Sequence, residues 1–233
     1  MREKIWLFIA FALAAALTSA CAPPVLRPAQ SEAQRPDEFP IAHYQRAAER
    51  GEAIFRIDAK RSLVVIEVRR GGSLAEAGHD HVVASHDVQG FVAPKDARAD
   101  LYVQLDRLVV DEPELRKEAG FDTQIPDAAI SATRANMLGR VLRVEAHPFA
   151  LISIAGVDAN RYVDVAITLN GVTRNTRIPA NTEANADELW ITGSLALDQS
   201  DFDITPLSLL GGAIQVQDRV NVRFSIRARR MAV

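Results

Sequence analysis

His79 and His81 are the residues whose type and spacing come nearest to chemistry in this chain. Two imidazoles one residue apart on an extended segment point to the same side and can both reach one Zn²⁺ or Cu²⁺ ion. Two ligands do not make a site. On a straight strand His86 and Asp87 lie roughly 17–20 Å beyond His81, at about 3.3 Å per residue. A third ligand must therefore come from elsewhere, with His147 or a carboxylate as the donor. The competing reading makes Gly78 to His81 a hydrogen-bonded turn whose imidazoles are satisfied by backbone or by the head group of a ligand. That reading leads, and a metal held by His79 and His81 is the alternative. Ser85-His86-Asp87 has the letters of a hydrolytic triad, but neighbours on a strand alternate faces and cannot form the nucleophile, base and orienter chain. Asp111-Glu112, beside Pro113, reads as a solvated pair, and Asp201 and Asp203 as turn residues bonding their own backbone. There is no Gly-x-Ser-x-Gly elbow, phosphate-cradling glycine loop or dinucleotide fingerprint. The chain is read as a non-enzyme without a cofactor.

The elements that would position these residues are strands. Val220, Val222, Phe224, Ile226 and Ala228 alternate with Arg219, Asn221, Arg223, Ser225 and Arg227, so one face is buried and one is wet. The same period of two runs through Ser62 to Arg70, where Val64, Ile66 and Val68 share a side, and through Leu101 to Leu105, Arg161 to Leu169 and Leu189 to Leu197. Turn signals at Gly71-Gly72, Asn170-Gly171, Asn185 to Asp187 and Gly211-Gly212 separate the runs, and Asn170-Gly171 is a strong hairpin turn. No regular alternation of strand and helix appears. The fold class is all-β, an antiparallel barrel or sandwich, with short helices expected in the connections over Glu112 to Ala119 and Asp127 to Leu138.

The first 51 residues read differently. Arg2 and Lys4, the apolar run Ile5 to Leu17 and the small residues Thr18 to Ala20 have the layout of a cleavable secretory leader. Cys21 then resembles the lipidated first residue of bacterial lipoproteins, although Leu17 stands one place from the usual leucine. Removing Arg2, Glu3 and Lys4 with the leader takes 27 basic and 30 acidic residues to 25 and 29. That balance, with its arginines scattered, gives no footprint for nucleic acid. Ala22 to Pro40 is rich in Pro, Gln, Glu and Ser and reads as a disordered tether, with a short helix over Ile41 to Arg50. The expected organisation is leader 1–20, acylated cysteine and tether 21–51, and one domain 52–233. The expected place is the periplasmic face of a membrane, with the outer membrane preferred because Asp does not follow Cys21. A soluble periplasmic or secreted protein is the alternative.

Within the domain, Phe55-Arg56-Ile57-Asp58, the run Ser62 to Val68, Gly78-His79-Asp80-His81-Val82-Val83 and Val88-Gln89-Gly90-Phe91 resemble the opening of the YceI-like family of polyisoprenoid-binding proteins. Asn136-Met137-Leu138-Gly139, His147-Pro148-Phe149, Asp201 to Pro206 and Ile214 to Ala228 extend the resemblance across the domain. It departs at Gly-His-Asp-His, where many members carry one histidine, and at Asp203, where glycine is common. The resemblance implies an extended lipocalin-like antiparallel barrel holding a long isoprenoid or fatty chain. A chain of methylenes is held by apolar area, at roughly 0.8 kcal/mol per buried CH₂. The candidate lining is therefore the apolar side of the strands, Val64, Ile66, Val68, Val220, Val222, Phe224 and Ile226, with His79 and His81 near the head group. The expected partners are a long-chain lipid and, through Cys21, a membrane. The alternative is a filled barrel that binds metal or another protein.

Overall fold

A computed structural model describes residues 34–158 and 161–232. The leader, Cys21 and the tether as far as residue 33 lie outside the described residues.

Alternating sequence becomes alternating burial along the strands, of which the described residues hold fourteen. The first seven are β1 (Phe55–Ile57), β2 (Leu63–Val68), β3 (Arg70–Gly71), β4 (His81–Ser85), β5 (Val88–Ala93), β6 (Arg98–Gln104) and β7 (Val109–Val110). The rest are β8 (Phe149–Val157), β9 (Tyr162–Leu169), β10 (Val172–Ala184), β11 (Glu188–Asp198), β12 (Ser208–Leu209), β13 (Ile214–Val216) and β14 (Arg219–Arg230). Three helices among the described residues join them: α1 (Ile41–Glu49), α2 (Pro113–Glu118) and α3 (Asp127–Asn136). A π-helical turn, Met137–Val141, continues α3.

All pairings are antiparallel, and the ladder β1-β5-β6-β8-β9-β10-β11-β14-β2-β4-β7 closes on itself through β1 and β14. Three staves are bent. The helical turn Ala59–Arg61 separates β1 from β2, and β5 pairs with the first while β4 pairs with the second. Likewise β6 meets β5, and β7 meets β4. Counting each bent stave once gives an eight-stranded closed barrel, the size whose interior side chains fill or which holds one small ligand. Asn170 and Gly171, at φ 53° and 78°, make the two-residue turn between β9 and β10.

The strand ends Val68, His81, Gln104, Phe149, Leu169, Asp198 and Arg219 gather at one end of the barrel, as the strand directions require. Over this end lies α3 with its π turn, packing Ile130, Met137, Leu142 and Val144 against the barrel core. Arg134 holds it there by donating from Nε to the Leu108 carbonyl at 3.0 Å and from Nη2 to the Asp106 carbonyl. No residue of α3 is fully buried.

One expectation from composition is corrected. Phe39 to Ala48, assigned to the tether, packs on the outside of the barrel, with Phe39, Tyr44, Ala47 and Ala48 clustered against Ile54, Phe91 and Ala93. The polar face of α1 dominates its average character, while the narrow stripe of Tyr44, Ala47 and Ala48 does the burying.

Candidate functional site

The inward side chains of the barrel enclose a cavity of about 240 Å³. Its wall is aliphatic apart from Phe224 and Ser85, and the Ser85 hydroxyl is engaged locally by the Asp87 N–H at 3.3 Å. Ile152, Ile154, Ile167, Leu169, Ile191 and Leu195 point inward yet stay half-buried. In a barrel packed shut such positions would be fully covered. Gly193 sets the position of the one ring in the wall. It stands opposite Phe224, and a Cβ there would meet that ring at 2.5 Å and the Pro179 carbonyl at 2.7 Å.

Of the lining positions named from the sequence, Val64, Ile66, Val222, Phe224 and Ile226 face the cavity. Val68 packs against the barrel core at the capped end, and Val220 is buried opposite Leu197. Most of the remaining wall comes from β6, β8, β9 and β11, on which no individual lining residue had been named. Leu105, Leu108 and Leu142 close it toward the cap.

His79 and His81 are neighbours, with ring centroids 6.2 Å apart, but neither lines the cavity. His81 opens β4 opposite Val68, and its Nδ1 meets Asp111 Oδ2 at 2.6 Å. That contact puts the proton of a neutral ring on Nδ1. The other Asp111 oxygen accepts from the Val82 N–H at 3.0 Å and from Arg116 Nη1 at 2.7 Å. Arg116 also donates to the carbonyls of Asp80 and Thr123, at 2.6 and 2.8 Å. The solvated reading of Asp111 is thereby overturned, since its side chain is wholly buried. Burial pushes its carboxyl up, but the hydrogen bonds from His81, Val82 and Arg116 outweigh that and hold it below the ordinary carboxylate value. Only Glu112 of the pair faces water, 2.7 Å from His86 Nε2. Among the described residues no three His, Cys, Asp or Glu side chains come together as a metal cluster. His147 packs against the Gly171 turn.

The letters Ser85-His86-Asp87 are engaged separately: a hydroxyl accepting from the Asp87 N–H, an imidazole on Glu112 and a carboxylate held by Arg107. Asp203 takes a left-handed turn position, φ 53°. The carboxylate that bonds backbone in that loop is Asp218, which accepts from the Ser200 N–H at 2.8 Å.

A second buried carboxylate went unnoticed in the sequence. Asp100, on the outer face of β6, accepts from Tyr44 Oη at 2.7 Å, Ser153 Oγ at 2.7 Å and Arg98 Nε at 2.8 Å. Burial raises its carboxyl and these three donors more than reverse the effect, leaving it below the ordinary value. Desolvation and the adjacent Asp100 push the Tyr44 hydroxyl well above its usual range. This cluster fastens α1 to the barrel. Its one signal in the sequence is an acid at a strand position flanked by apolar neighbours.

Residues 55–228 match the model of the YceI-like domain family. Among solved structures the chain is similar to a polyisoprenoid binding domain from Saccharophagus degradans implicated in plant cell wall breakdown. That match has 12% identity and a TM-score of 0.55, and covers 76% of this chain and 98% of that one. It is also similar to BcnA of Burkholderia cenocepacia, at 15% identity and a TM-score of 0.51, covering 73% and 98%. These likenesses concern the fold. No curated protein matches the sequence.

Proposed function

Because the chain belongs to the YceI-like domain family, we propose that it is a lipid-binding protein whose barrel holds a long apolar chain of the polyisoprenoid or fatty-acyl class. It works on the periplasmic side of a membrane, from an anchor at Cys21. The observation that carries this reading is the cavity: an aliphatic interior left unfilled by its own half-buried side chains. Such a space selects for methylenes and offers nothing to a charged solute. The similar fold of the polyisoprenoid binding domain from Saccharophagus degradans is consistent with it.

A cavity of about 240 Å³ lies below the roughly 300–1,000 Å³ of pockets that enclose drug-sized ligands. A long chain therefore has to displace something, and the α3 cap over one end of the barrel has no fully buried residue to hold it shut. Entry past α3 and the Met137–Val141 turn follows. The polar head then stays near the rim, where His81 and His79 stand.

The test is native mass spectrometry of the protein purified from a lipid-containing host, with organic extraction and metal analysis of the same sample. A co-purifying long-chain lipid near one per protein is the expected result. A lipid-free protein carrying stoichiometric zinc or copper, lost on changing His79 and His81 to Ala, would overturn it.

A further inference from the structure

Two loops reach past the rim at the capped end. β2 runs on into β3, and β13 leads into β14, so the ladder that sets Gln215 opposite Gly71 and Val216 opposite Arg70 extends beyond the barrel. β12 adds a third strand to this small sheet. Its tips present Leu74, Leu209 and Leu210, which are 51%, 46% and 74% exposed. Single exposed leucines are ordinary. These three sit on one fastened platform. The Leu74 N–H donates to the Ala213 carbonyl at 2.7 Å, and Gly72, at φ 92°, lies so close that a Cβ would meet the Gly212 and Ala213 carbonyl oxygens at 2.5 Å. Leu210 holds φ 50°, a conformation branched residues adopt only where their surroundings impose it.

The N-terminal side of the chain meets the barrel at this same end. The Gln34 N–H donates to Gln104 Oε1 at 3.0 Å, and Gln104 is the last residue of β6. From Cys21 to Gln34 is thirteen residues, a reach of at most about 45 Å when fully extended. A protein anchored at Cys21 therefore keeps this end within that distance of the bilayer.

The rim arginines are already paired: Arg69 with Glu67, Arg70 with Asp80 and Glu76, and Arg219 with Asp198. These three arginines face four carboxylates, so what the platform offers a bilayer is its apolar tips and no free cation among these pairs. Three leucine tips are also far short of the roughly 1,200–2,000 Å² that a stable protein interface buries.

We propose that Leu74, Leu209 and Leu210 form a membrane-docking platform that seats the capped end of the barrel in the interface of the bilayer to which the chain is tethered. This rests on the anchor at Cys21 proposed above. A lipid anchor and a small apolar surface are each modest signals that together hold a protein on a membrane. Docking in this pose points the cap at the lipid source.

The test uses Leu210→Trp in the full chain, produced with its leader in an exporting host and reconstituted onto phosphatidylcholine vesicles with ordinary or dibrominated acyl chains. Val157→Trp, at the far end of β8, is the control, and the signal of the unsubstituted protein is subtracted. Insertion to roughly 5–10 Å puts the indole introduced by L210W at the acyl boundary, so the emission of that variant falls by about half on brominated lipid while that of V157W does not change. Equal L210W emission on both lipids overturns the platform, as does protection of the new indole in a dimer, or failure of the full chain to associate with vesicles. Native mass spectrometry of the same samples separates this from the carrier reading. Quenching of L210W in a protein that never carries lipid supports docking and refutes the carrier; a loaded L210W protein with unquenched emission does the reverse.

Discussion

Asp111 serves three donors with two oxygens from a wholly buried position, at a left-handed backbone φ of 59°. Removing the carboxylate would strand Arg116, which is nearly as buried. Asp111→Ala is therefore expected to cost on the order of 3–5 kcal/mol, read as a lowered urea midpoint with an unchanged slope. Arg116→Met in the same background should recover part of the loss. Acid reports on the same group and on Asp100. Both carboxyls titrate lower in the folded protein than in the unfolded chain. Their contribution is thus complete above the unfolded value of about 3.9 and drains away as pH falls through the lower folded values. Urea midpoints between pH 5 and 2 should fall steeply, and the double variant Asp100→Asn, Asp111→Asn should fall less over that range from a lower start. A slope identical to that of the parent protein would refute the assignment. Neither carboxylate was legible in the sequence. Asp111 looked like one of two acids before a proline, and its burial depends on Arg116 and His81, which only the fold brings to it.

At the scale of elements, periodicity was a good guide wherever one face is wet. β2, β9, β11 and β14 lie where alternation put them, and α2 and α3 begin at Pro113 and Asp127 as their start signals required. Weaker signals hid β10, which is polar on most positions and contains Pro179, and hid the packing of α1. Average composition describes the solvated face of such a helix and misses the stripe that docks. The docking rests on Tyr44, Asp100, Ser153 and Arg98, so Tyr44→Phe leaves a buried carboxylate one donor short. The expected loss is about 1–3 kcal/mol, with amide exchange rising in α1 and leaving β9 and β10 unchanged. Equal acceleration throughout the barrel would show that α1 is not a separable strap.

For the molecule as a whole, the interior decides the behaviour. Five of the seven lining residues named from β2 and β14 face it, yet sequence period cannot tell a hollow wall from a packed one, because both are apolar on alternate residues. Overpacking a filled core costs about 1–3 kcal/mol. Ile152→Trp, aimed into the cavity from β8, should cost less than that in urea and lower the lipid carried per protein. A large loss of stability with lipid content unchanged would place the ligand elsewhere. Closure of the barrel carries a further consequence, and it concerns time. β14 pairs with β11, β2 and β1, and Phe55 meets Arg230 across almost the entire domain. The last strand of the barrel to be made is the keystone, so the earlier staves wait with open edges until it arrives. Such long-range pairing makes for slow folding, and the waiting chain is exposed to aggregation. A chain stopped short of Arg219 has most of its apolar faces made and no means of shutting them away.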